Sequence, residues 1–168
     1  MIGASVDPVC GVRDAAAALA APLEAAGTSL STCWWERGPA APSASAWARQ
    51  ATDAAVAADA VLWHYSVFTY AIHGVPALVP LVLRELRRAG LPIVVLLHEL
   101  VFPWGSHGVR GAVHAATGRI ALAEVMRAVA GAVVTTEDRL AWVASRRWLP
   151  SRPLAFVPVV SNVPAGEP

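Results

Sequence analysis

Residues 92–97 read PIVVLL, and the run ends abruptly in His98-Glu99 before a Gly-rich, polar stretch, LVFPWGSHGVRG. A strand that is apolar at every position, rather than at every second one, has no face to show to water. It belongs inside a parallel sheet covered on both sides. In open sheets of that kind, ligands gather outside the carboxyl ends of the strands. One junction therefore indicates a fold class, a face of the fold and a titratable pair placed at that face.

The rest of the chain repeats the alternation. MIGASV (1–6) reads as a strand, followed by a turn at Cys10-Gly11 and an Ala-rich helix to about residue 26. Pro22 is expected to kink that helix or mark a break in it, and Gly27 to stop it. Strands are expected over 28–35, 60–66, 92–97, 131–136 and 154–160, with helices over 47–58, 76–89, 118–129 and 137–146. Residues 36–46 read as a Pro/Ser loop. Strand–helix alternation with continuous apolar strands predicts an α/β domain, three layers deep, with a mostly parallel sheet of about six strands and right-handed crossovers.

Composition narrows the function classes. The chain has 168 residues, enough for one domain with a sizeable core, and 56% of them are hydrophobic. A net charge of +1 gives no electrostatic case for nucleic acid. All 13 basic residues are Arg, so no Lys is present for a Schiff base or a phosphate loop. Cys10 and Cys33 are too few for a disulfide framework and read as free thiols in a reducing cytosol. No basic-then-apolar leader opens the chain, and no apolar run reaches the roughly 20 residues that span a bilayer. The expected location is cytoplasmic, with peripheral membrane contact as the alternative role of Arg84, Arg87 and Arg88. These three otherwise read as the solvated face of the helix over 76–89.

The candidate site residues sit at strand ends. His98-Glu99 is not a zinc motif, because position 102 is Phe where a second His would be needed, and no metal is expected. His98 can donate to a phosphate or a sugar hydroxyl; the competing reading is a core histidine satisfied by backbone. Gly11, at the first strand–helix turn, allows helix amides to approach an anion, though a plain turn residue is the alternative. The GxGxxG fingerprint is absent, so no nicotinamide cofactor is expected. Tyr65-Ser66 and Thr135-Thr136-Glu137 end two other strands, and Thr136 also suits a helix N-cap. Trp34, Trp35, Trp63 and Trp142 fall in or beside apolar elements and read as core.

Taken in order, CGVRDAAAALAAPLEAAG, WHYSVFTYAIHGVP, VVLLHE, GAVVTTEDRLAWV and FVPVVSNVP resemble successive segments of one family domain. That domain is the N-terminal, Rossmann-like, acceptor-side domain of the family-4-like glycosyltransferases, retaining enzymes of the GT-B architecture. The resemblance covers residues 1–164, with 165–168 as the start of a linker or tail. It implies that His98 stabilises the transition state near the donor sugar and its phosphates, as the catalytic residue. It implies that Gly11 lets the first loop approach the donor diphosphate. Tyr65, Ser66 and Glu99 would shape the acceptor side, and Thr136 and Glu137 would line the cleft floor. The implied partners are a nucleotide-sugar donor and a sugar or lipid-linked acceptor, with no cofactor.

In that architecture a second domain holds most of the donor and carries an E-x7-E motif. Neither Glu124 nor Glu137 fits that spacing, so the donor-binding domain is expected to be absent from these residues. The chain would then be inactive alone and expose an apolar cleft face through which it dimerises. The alternative is a non-catalytic Rossmann-like module that binds a nucleotide or a partner.

Overall fold

The computed structural model describes residues 1–6, 10–105 and 107–158. Along the chain the elements are β1 (Ile2–Ser5), α1 (Gly11–Ala25), β2 (Cys33–Glu36), α2 (Ala44–Ala54), β3 (Val61–Ser66) and α3 (Val79–Arg88). They continue with β4 (Ile93–Glu99), α4 (Gly108–Ala128), β5 (Gly131–Val134), α5 (Glu137–Ala144) and β6 (Leu154–Phe156). The strands form one six-stranded sheet in the order β2-β1-β3-β4-β5-β6, and every pairing is parallel. The domain is thus α/β with a Rossmann-like layered architecture, as the alternation of apolar runs predicts.

The order matters for the site. From β1 the chain steps outward to β2, then returns past β1 to β3 and continues to β6. The direction of winding reverses between β1 and β3, which opens a crevice at the carboxyl ends of these two strands.

The two faces of the sheet differ in chemistry. On one, Ile2, Ala4, Trp35, Trp63, Tyr65, Val95 and Leu97 join residues of α2, α3 and α4 in the main core. Aromatic rings dominate its left half: Trp35 stacks on Trp47 at 5.5 Å, and Tyr70 packs edge-on to Trp63 at the same centroid distance. Trp63 Nε1–H donates to the Tyr70 hydroxyl at 2.8 Å, so the buried indole keeps its hydrogen bond. The other face is covered by α1, and its buried residues include Ser5, His64, His98 and Thr135.

Several boundaries differ from the sequence expectation, each for a local reason. β4 extends through His98 and Glu99, so both are strand residues and not loop residues. α4 starts at Gly108, ten residues ahead of the expected helix at 118. Its small residues Gly111, Ala115 and Gly118 resemble loop composition in sequence, yet all three are buried. A Cβ on Gly118 would lie 3.6 Å from the Phe102 backbone nitrogen, so the helix sits close against the chain leaving β4. β2 begins at Cys33, not 28, and α2 at Ala44, where the Ser43 hydroxyl accepts from the Ala46 amide at 3.2 Å. α1 runs through Pro22 to Ala25; the proline falls in the last turn, where little helix remains to disturb. β5 ends at Val134, leaving Thr136 as a cap, and β6 as described spans Leu154–Phe156. Residues 159 and 160 of the expected last strand lie outside the described residues.

The arginines of α3 do more than face water. Arg84 and Arg88 both bind the Glu85 carboxylate, at 2.9 and 2.6 Å, while the Glu85 side chain is only 2% exposed. Burial pushes that carboxyl up, but the two guanidinium groups outweigh it and hold it below the usual carboxylate range. No helix among the described residues is long and apolar enough to cross a membrane.

Candidate functional site

A cleft of about 510 Å³ opens at the winding reversal. It is built from the carboxyl ends of β1, β3, β4 and β5 and from the start of α1. Its lining includes Gly11, Ser66, Phe68, His98, Glu99, Thr135 and Arg139. Four of the seven expected site residues therefore meet in one place: Gly11, Ser66, His98 and Glu99.

Each is positioned by simple local rules. Gly11 is the first residue of α1, after Cys10 in an extended conformation that offers no side-chain cap. A Cβ at Gly11 would meet nothing within 4 Å, so no packing inside the chain demands glycine there. What glycine leaves instead is open space in front of a helix N-terminus, where amides favour an anion. Ser66 is buried; its hydroxyl accepts from the Phe68 amide at 3.3 Å and its carbonyl from the Thr69 hydroxyl at 3.0 Å. The residue thus shapes the turn by which β3 enters the cleft wall.

His98 lies on the α1 face of β4, in the same alternation as Leu96, and is 6% exposed. Its Nε2 sits 3.1 Å from Nδ1 of His64, which is fully buried on β3. Burial, then the nearby Arg139, push the His98 imidazole down to about 4. Burial, then His98 and the amino terminus, push His64 down to about 3. At neutral pH both rings are uncharged hydrogen-bonding groups.

The cleft's positive charge comes from Arg139. Its guanidinium donates to the Thr135 hydroxyl at 2.5 Å and makes no ion pair among the described residues. A second groove shares Phe68, Glu99 and Arg139 with the first and continues over Trp104, with Asp138 and Trp142 on its walls. The Arg119 guanidinium lies 4.6 Å from the Trp104 ring centroid, a cation–π contact that steadies an exposed indole.

Three expected site residues fall elsewhere. Tyr65 is not in the cleft: strand alternation turns it to the opposite face, where it is fully buried, 5.4 Å from Trp63 and 6.0 Å from Tyr70. Thr136 caps α5, its hydroxyl accepting from the Arg139 amide at 3.2 Å, and does not line the cleft. Glu137, the first residue of α5, is exposed and also outside the lining.

Conversely, Thr135, which the sequence marks only as part of a strand end, lines the cleft, and Arg139 and His64 belong to the site although the sequence assigns them no role. Arg139 left one signal. It stands in the first turn of a helix, where the dipole disfavours a cation, so its placement suggests another task. No cluster of three or more His, Cys, Asp or Glu able to hold a metal occurs among the described residues. A scan against protein-family models, a search of curated proteins and a search of solved structures each find no match for the chain.

Proposed function

We propose that this chain is the acceptor-side half of a retaining glycosyltransferase that uses a nucleotide-sugar donor and works with a donor-binding domain or partner chain. The observation that carries the reading is the cleft itself. At one winding reversal it joins a helix N-terminus cleared by Gly11, an Arg139 that makes no ion pair among the described residues and a neutral His98. These groups suit a phosphate-bearing ligand. The ordered motifs that resemble the glycosyltransferase domain supply the reaction class. The neighbouring groove, with Trp104 and Phe68 beside Glu99 and Asp138, suits a sugar acceptor: flat rings for its apolar faces, carboxylates for its hydroxyls.

In this reading Gly11 and Arg139 hold the donor phosphates while the bond to the sugar lengthens. Negative charge gathers on the departing nucleoside diphosphate, and fixed donors aimed at it lower the barrier. His98 donates a hydrogen bond from the strand end. Val6, Phe68 and Trp104 on the rim remain about half exposed and would meet the donor-binding partner.

The test is chemical-shift mapping with uridine, guanosine and adenosine diphosphates and their glucose conjugates at millimolar concentration, on wild type and Arg139→Ala. At least one nucleoside diphosphate should perturb the Gly11, Ser66, Glu99 and Thr135 amides, weakly, and Arg139→Ala should lower its affinity about tenfold. Perturbations confined to another surface would overturn the reading. Sugar transfer by the isolated chain at an ordinary enzymatic rate would refute its half-site character.

A further inference from the structure

Two histidines meet at the cleft, and only one lines it. His64 Nδ1 and His98 Nε2 are 3.1 Å apart, while the ring centroids are 5.3 Å apart and the planes differ by 22°. The centroid separation exceeds the nitrogen–nitrogen distance by roughly a ring's width, so the rings lie edge to edge and nearly coplanar. That geometry places a ring N–H in line with the partner's lone pair.

One proton occupies this contact, and two assignments exist. If His98 donates, His64 accepts at Nδ1 and must carry its own proton on Nε2. That N–H is buried and has no acceptor among the described residues. If His64 donates, its Nε2 bears only a lone pair, and the buried unpaired group is an acceptor. Orphaned buried N–H groups are the rarer of the two in folded proteins. The second assignment therefore wins, and it puts the His98 proton on Nδ1, the nitrogen His64 leaves free.

The support behind His64 is equally specific. The Trp34 ring lies 6.0 Å from the His64 ring, tilted by 60°. Trp34 is itself anchored by its indole N–H, which donates to the Ser5 hydroxyl at 3.1 Å. The indole fits only because residue 3 is glycine: a Cβ there would lie 2.2 Å from a Trp34 ring carbon. Gly3, Trp34 and Ser5 thus build a shelf that holds a buried imidazole at one orientation.

We infer that His64 is a positioning residue that fixes His98 in the Nδ1–H tautomer, so that His98 meets its ligand as a neutral hydrogen-bond donor. The ligand atom opposite it is an oxygen acceptor, a phosphate or a hydroxyl oxygen, and His98 does not serve as a resting general base through Nδ1. The inference rests on the cleft reading only for the identity of that ligand; the tautomer itself belongs to the unliganded protein.

The experiment is nitrogen-15 NMR of the histidine side chains at pH 7.5 without ligand, with His98 assigned by its loss in His98→Gln. Wild type should show a protonated, pyrrole-like Nδ1 and a bare, pyridine-like Nε2. In His64→Leu the His98 signals should move toward the average of the two tautomers. His64→Asn keeps an N–H donor near the Nδ1 position and should restore the wild-type pattern. A proton on His98 Nε2 in wild type, or an unchanged tautomer in a folded His64→Leu, would overturn the inference. Should His64→Leu fail to fold, the wild-type and His64→Asn spectra decide it alone. Because no nucleotide is present, a failure here is distinct from a failure of the glycosyltransferase reading.

Discussion

Acidification between pH 7.5 and 5 should unfold this protein more readily, and the histidine pair should carry most of the effect. An unfolded histidine titrates near 6.5, whereas His98 and His64 in the folded chain are pushed down to about 4 and about 3. Below pH 6.5 the unfolded chain binds two protons that the folded chain refuses, so stability rises with pH and falls as pH drops. The pair's contribution is fully present above about pH 6.5 and is lost progressively as pH falls toward the folded values. Each histidine costs about 1.4 kcal/mol per pH unit in that window. At pH 5 the pair together should have cost on the order of 4 kcal/mol, a large share of the 5–15 kcal/mol typical of a domain. Most carboxylates titrate lower, near 4, so the window from 7 to 5 isolates histidine chemistry. Urea unfolding at half-unit pH steps would measure the slope in wild type and in a His64→Asn/His98→Asn double variant. A difference between the two curves that stays within about 1 kcal/mol from pH 7.5 to 5 would refute the argument.

Tyr65→Phe removes a fully buried hydroxyl that has no partner among the described residues. It should raise stability by about 1 kcal/mol, or the melting temperature by about 2–4 °C, and leave nucleotide mapping at the cleft unchanged. A loss of stability would show that the buried hydroxyl has a partner, and a loss of binding would return Tyr65 to the site. Gly3→Ala would force a methyl into the Trp34 ring. It should cost about 1–3 kcal/mol in urea unfolding; an unaltered midpoint would show that the indole can move aside freely.

How far the sequence reaches is clearest on β3 and β4. The continuous apolar run at 92–97 made the parallel sheet legible, and the abrupt change at His98 marked the end of a strand where a cleft opens. Local composition does not say which face of each strand meets the ligand. Tyr65 and His64 are neighbours on one strand, so alternation sends them to opposite sides. The register aligns His64 with Leu96, and Leu96 shares its face with His98. Once His98 is in the cleft, His64 must stand behind it and Tyr65 must enter the core.

That choice of face is tertiary, and α1 makes it. α1 turns Ala15, Ala18, Leu19 and Pro22 toward Leu96, His98 and Thr135, and a small cavity of about 50 Å³ remains above the sheet. Larger side chains at Ala15 and Ala18 would fill that space, as Leu86, Leu122 and Met126 fill the core on the other side. In sequence the alanines look like compositional bias. In the fold their small size makes room for a helix to cover a sheet face that carries two imidazoles, a serine and a threonine. The polar floor of the cleft and the alanine-rich first helix are therefore two sides of one packing solution, and neither is interpretable from its own segment.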